Sequence, residues 1–126
     1  MKTNPTNEQR ERIKAGVQAL RDNPLKAKGW MKKNGGRCCL CVLEEKAKEI
    51  GFKGEGDEEF CDDGLANFYG FKSEKLELND SNRSIAIVPV VSGQTMNKWN
   101  DGESHFSIPE KSHKEIADMI EEEYLK

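Results

Sequence analysis

The stretch GGRCCLCVLEE, Gly35 to Glu45, decides what kind of fold this chain can build, because it packs three cysteines into four positions. If Cys38, Cys39 and Cys41 held a metal ion, the core would be organised around that ion. A four-cysteine zinc site normally presents two CxxC-type pairs whose thiolates turn inward on one tetrahedral centre. Here the spacing is CCxC, with Cys61 twenty residues further on. Adjacent cysteines on a helix point about 100° apart, which makes Cys38 and Cys39 poor joint ligands unless the first is still in the turn. A catalytic thiolate at a helix N-terminus is physically sensible, because the helix dipole favours the anion, but it needs a base, and His105 and His113 are the only histidines. The reading these residues favour is packing, since unpaired cysteines behave as small buried hydrophobes. From Cys39 onward Leu40, Leu43, Ala47 and Ile50 recur at three- and four-residue steps and Gly51 follows, predicting a helix over 39–50.

On the N-terminal side, KAKGWMKK followed by Asn34-Gly35-Gly36 predicts a short strand running into a tight turn. Before it, Thr6 with Gln9 makes a capping-box pattern, and Ile13, Val17 and Leu20 share one face, predicting a helix over 7–22 that stops at Asn23-Pro24. On the C-terminal side, residues 51–63 mix glycine with acid and predict a surface loop. GLANFYGF supplies an apolar patch through Leu65, Phe68, Tyr69 and Phe71, read as one helical turn and its exit. SIAIVPVVSG is the best strand, although Pro89 cannot donate to a ladder and suggests an edge or a bend. TMNKW predicts a short helical turn closed by Asn100-Asp101-Gly102. Ser112 with Glu115 forms a second capping box, and Ile116, Met119, Ile120 and Tyr124 line one face of a final helix. The expected architecture is α+β: one domain over residues 1–126, with about three helices around a short antiparallel sheet.

Composition narrows the function classes. No 18-residue apolar run is present, so no membrane partner is expected, and MKTNPTNEQRER lacks the apolar centre of a secretory signal, predicting a cytoplasmic protein. Apolar residues make up 35% of the chain and charged residues 34%, a thin core that assembly into a homo-oligomer would complete. The net charge of −3 hides a segregation. Residues 1–37 carry ten Lys/Arg against three Asp/Glu, residues 38–63 three against nine, and residues 64–126 seven against eleven. Such a chain can offer a basic surface to an anion, or one protomer's positive face to another's negative face. A total this acidic does not suit a duplex-DNA binder, whose pI normally exceeds about 9.

No phosphate-binding loop, GxGxxG, HExxH or GxSxG occurs, and neighbouring acids such as Asp62-Asp63 and Glu121-Glu122-Glu123 are more often solvated surface than an acid/base pair. What recurs is equipment for holding a planar anion. Lys26, Lys28, Lys32, Lys33 and Arg37 flank Trp30, and an indole beside several cations can stack a base while phosphate is neutralised. On residue type alone the favoured reading of Trp30 is a core aromatic. Trp99, Asn100 and Asp101, with His105 nearby, form a second cluster whose amide and carboxylate could read base edges or cap their own turn. The candidate ligand contacts are therefore Lys28, Trp30, Arg37, Trp99, Asn100 and His105, with no catalytic residue, metal or cofactor expected.

The order ALRDNPLKAKGWM, RCCLCVLEEKA and TMNKWNDGESHFSIPEKSHKEIADMIEE resembles a family of small phage and bacterial proteins. Its members run from "ALRSGxYxQGxGxL" through "YCCLGVLCDLA" to a terminal "LAxLNDxGxSFxEIADLIE". The matching positions are Ala19-Leu20-Arg21, Gly29, Cys38-Cys39-Leu40, Val42-Leu43, Asn100-Asp101, Ser112, Glu115-Ile116-Ala117-Asp118 and Ile120-Glu121. The chain departs at Cys41 and Glu45, where the family has glycine and cysteine, and over Asp22 to Ala27. A site built on all four cysteines is thereby harder to defend. The pattern is similar to that of phage anti-defence sponges, which sequester cyclic nucleotide signals of antiviral systems such as CBASS. The resemblance implies an oligomeric non-enzyme that binds a cyclic di- or trinucleotide in the cytoplasm of an infected bacterium without cleaving it. The alternatives are a phage-encoded protein that binds and inhibits a host protein, and an enzyme that cleaves the nucleotide.

Overall fold

The computed structural model describes residues 5–23, 32–33, 36–56, 60–78, 84–103 and 107–126, with backbone alone at 32, 33, 36 and 37. Within them the fold is α+β. Helix α1 spans Asn7–Asp22 and opens on the expected capping box, in which Thr6 and Gln9 exchange side-chain and backbone bonds. Strands β1 (Lys32–Lys33) and β2 (Gly36–Arg37) pair antiparallel, Lys33 opposite Gly36. The Asn34-Gly35 turn itself lies outside the described residues. Helix α2 (Cys39–Glu49) follows directly, then α3 (Leu65–Tyr69), β3 (Ser73–Glu77), β4 (Ile85–Val91), β5 (Gln94–Thr95), α4 (Met96–Asp101) and α5 (His113–Ile120). A π-helical turn, Glu121–Leu125, continues α5. The three longest helices, α1, α2 and α5, are the three marked by strong periodicity.

Helix α2 is the hub, packed on α1, α3, α4 and β2. Its first two turns, Cys39 to Glu44, are buried on every side, because neighbours close around it as well as beneath it. Gly16 lets α1 approach: a Cβ there would stand 2.8 Å from Leu43 Cδ2 and 3.2 Å from the Tyr69 ring. Across α1 from α2 lies α5, whose Ile116 and Ile120 are fully buried, and Arg21 joins the two helices through Asp118 at 2.8 Å. Arg10 donates to the Tyr124 and Leu125 carbonyls at 3.3 and 2.9 Å, satisfying acceptors that a helix end leaves without partners.

The sheet runs in the order β3-β4-β5, all antiparallel. Pro89 therefore sits in the central strand, and the alternation of ladder bonds explains how. Val90 donates to Lys72 O on the β3 side, so the nitrogen of Pro89 faces the other side. There β5 pairs only with Val90 and Val91, and the neighbouring donor on that side, Ile87 N, is taken by Asp63 Oδ1 at 3.0 Å. The missing N–H thus falls where β4 has no strand neighbour among the described residues. The aromatic patch read from GLANFYGF is a chain of rings, Phe52, Phe68, Tyr69, Phe71 and Tyr124, with successive centroids 4.9–5.5 Å apart. Gly70, at φ 84°, turns the chain out of α3 into β3.

The acidic segment 51–63 differs from the surface loop expected. Cys61 is fully buried, Phe52 and Phe60 pack on the core, and the buried Glu44 carboxylate accepts from Gly56 N at 2.8 Å and Asp62 N at 2.7 Å. The Glu44 carboxylate on the buried face of α2 thus ties the described parts of a segment poor in apolar residues to the helix, at Gly56 and at Asp62.

Candidate functional site

Two of the residues proposed for ligand contact, Arg37 and Asn100, lie at the N-terminal end of α2. Arg37 ends β2 one residue before the helix cap, and the Asn100 Oδ1 atom, from α4, accepts the backbone N–H of Cys39 at 3.0 Å. This bond draws the Trp99-Asn100-Asp101 turn against the exit of the basic segment, across 61 residues of sequence.

Asn100 is 1% exposed and both ends of its amide are engaged, Nδ2 donating to Asp101 Oδ1 at 2.7 Å. Its geometry is that of a cap, and a capping role was one of the two open to it in the sequence; the helix capped is α2 rather than its own turn. Trp99 is half-buried, packs on the core and donates from Nε1 to Val91 O at 2.7 Å, bracing α4 against β4. Lys28, Trp30 and His105 lie outside the described residues, and of Arg37 only the backbone is described.

The first turn of α2 is closed to an anion. Cys38 is the cap residue, and its Sγ accepts from Cys41 N at 3.4 Å, while Cys39 N is taken by Asn100. These backbone donors are engaged within the protein, so they offer no phosphate site.

The cysteines serve packing and local hydrogen bonding. All four are buried, and none is in a disulfide. Burial pushes the Cys38 thiol up to about 11, so it is neutral at physiological pH. Cys39 Sγ donates to Met96 O at 3.5 Å, and Cys41 Sγ to Glu45 Oε2 at 3.0 Å. Among the described residues no group of three or more His, Cys, Asp or Glu side chains could hold a metal ion.

Two anchoring residues escaped the sequence reading. His113, at the start of α5 and 2% exposed, donates from Nδ1 to the Asn23 carbonyl that ends α1. Asn23 in turn donates to Ala19 O at 2.7 Å. The basic segment 24–37 is thus bracketed, His113 holding the residue before it and Asn100 the helix after it. Glu44 is the other; it lies four residues after Leu40 and three before Ala47, so helical spacing had placed it on the apolar face.

A shallow depression of about 280 Å³ lies between α1 and α2, lined by Ala15, Gln18, Asp22, Asn23, Lys46 and Glu49 among others. Lys46 pairs with Glu49 at 3.6 Å and Asp22 accepts from Gln18 at 3.0 Å, leaving the lining with an excess of acid. Its sign is wrong for a phosphate. Compared with known proteins, the chain matches no protein-family model, no curated protein and no solved structure.

Proposed function

We propose that this chain is a non-catalytic binder that sequesters a cyclic di- or trinucleotide immune signal in the cytoplasm of a phage-infected bacterium. The observation that carries the reading is the Asn100–Cys39 bond, which joins the start of α2, just after the basic segment bearing Lys28, Trp30 and Arg37 in the sequence, to the α4 turn that precedes His105. In this reading cations of residues 26–37 neutralise the phosphates, Trp30 supplies an aromatic face, and Trp99 and Asn100 position the segment. Support for binding without cleavage comes from the thiols, which are buried, with Cys38 held neutral well above physiological pH. Sequestration needs affinity and abundance only, which suits a chain with no recognisable catalytic motif.

The test is a release assay. Purified protein is mixed with a panel of cyclic di- and trinucleotides, washed and heat-denatured, and the eluate is weighed by mass spectrometry. One nucleotide retained and released intact supports the proposal, and Trp30→Ala with Arg37→Ala then abolishes retention while the circular dichroism spectrum is unchanged. A cleaved product transfers the reading to an enzyme. Retention of none overturns it in favour of the second reading, a binder of a host protein, which the acidic depression beside Asp22 and Glu49 favours. A pull-down returning one stoichiometric host protein without nucleotide is its signature.

A further inference from the structure

Among the described residues strand β3 pairs with β4 alone, and no strand lies along its other edge. Lys72 O accepts from Val90 N and Leu78 N donates to Ser84 O, so the even-numbered residues face β4. The backbone N–H and C=O groups of Ser73, Lys75 and Glu77 therefore point away from the sheet. The five pairs from Ser73–Pro89 to Glu77–Ile85 are consecutive, with no bulge, and β3 contains no proline. Among the described residues neither Lys75 nor Glu77 enters an ion pair, and both are exposed. Such a regular edge is a template for pairing with another chain, and the charges of β3, which repel an unmatched strand, decide which partner it accepts.

We propose that β3 pairs with β3 of a second copy of this chain, antiparallel about a two-fold axis at Leu76, joining two three-stranded sheets into one of six strands. Charge selects the register. An axis at Glu74 would oppose Glu74 to its own copy, and an axis at Lys75 would oppose two lysines. The axis at Leu76 instead sets Lys75 against the partner subunit's Glu77, and Glu77 against the partner subunit's Lys75. The ladder agrees. Lys75 and Glu77 carry the outward backbone groups and form the hydrogen-bonded pairs, four bonds in all, while Leu76 meets its counterpart in the close, unbonded pair. Leu76 pairs with Ala86 on the core face and is half-buried against the core, so the partner subunit's Leu76 extends that apolar layer. Lys75 and Glu77 lie on the opposite face, across from Ile87 and the 46%-exposed Ile85. Pairing of this kind follows from the strand alone and stands whether or not a nucleotide is bound.

Sedimentation equilibrium of the full chain tests it. The wild type is expected at twice 14.3 kDa, with dissociation on dilution. Lys75→Glu or Glu77→Lys alone turns both cross-strand contacts repulsive and raises the dimer dissociation constant roughly tenfold or more. The double variant K75E/E77K restores it. Amide exchange at Lys75 and Glu77 slows in the wild type and quickens in each single variant. Circular dichroism reports that the exposed substitutions leave the fold intact. A wild type that stays monomeric up to millimolar concentration, an assembly indifferent to the single swaps, or a double variant that fails to recover would overturn the pairing.

Discussion

Replacing Asn100 by alanine removes the acceptor of one buried backbone donor and the donor to one carboxylate. Cys39 N, now held at 3.0 Å, is left inside the protein at the first position of α2, and an orphaned buried N–H costs about 1–3 kcal/mol. The 2.7 Å bond from Nδ2 to Asp101 is charge-assisted but only partly buried, so its loss adds about 1 kcal/mol. The expected destabilisation is about 3 kcal/mol, which for a chain of this length lowers Tm by roughly 10 °C. Urea unfolding followed by circular dichroism and tryptophan fluorescence measures the first quantity, and a thermal scan the second. Asn100→Asp provides the control. It keeps an oxygen for Cys39 N but sets a second carboxylate beside Asp101, so protonating one of the pair helps the folded state. Its deficit therefore shrinks as pH falls and grows as pH rises. An Asn100→Ala protein within about 0.5 kcal/mol of wild type would refute the view that this amide holds α4 on α2.

Glu44→Gln keeps one acceptor and turns an NH2 toward a backbone donor, costing about 2 kcal/mol, with amide exchange quickening first at Gly56 and Asp62. Unchanged exchange there would show the loop is held by something else. Gly16→Ala should destabilise by about 1–3 kcal/mol despite alanine's better helix propensity, because its Cβ meets Leu43 and Tyr69; a gain in Tm would contradict the close packing of α1 on α2. Burial raises the pKa of Cys38, to about 11, and those of Tyr69 and Tyr124, so the folded state holds these protons more tightly than the unfolded chain. Their contribution is complete below pH 9 and is lost as pH rises through 9 to 11 and beyond, and Cys38→Ser should flatten the first part of that decline. Tyr124→Phe removes the hydroxyl that takes Lys72 N at 3.1 Å and gives to Val90 O at 2.6 Å, with an expected loss of about 1–3 kcal/mol and faster exchange of the Lys72 amide.

The helices and their ends were legible in the chain because their causes are local. Thr6 with Gln9 and Ser112 with Glu115 act within one turn, and the spacing of Ile13, Val17 and Leu20 is set by the helix repeat itself. The strand at 85–91 and the turn at Gly102 were readable for the same reason. What the sequence could not settle were partners far along the chain. Nothing local to Asn100 says that its amide caps a helix 61 residues earlier, nor does anything near His113 name the Asn23 carbonyl. Glu44 lies on the apolar face by spacing, but nothing near it in sequence names its partners, the backbone donors of Gly56 and Asp62. The four cysteines illustrate both halves. Their spacing already argued against a paired metal site, but only tertiary packing, by burying Cys38 and giving Cys39 and Cys41 their acceptors, decided what each thiol does. Periodicity and capping are properties of a few consecutive residues; burial and long-range hydrogen bonds belong to the assembled chain, and so does every residue that positions the candidate site.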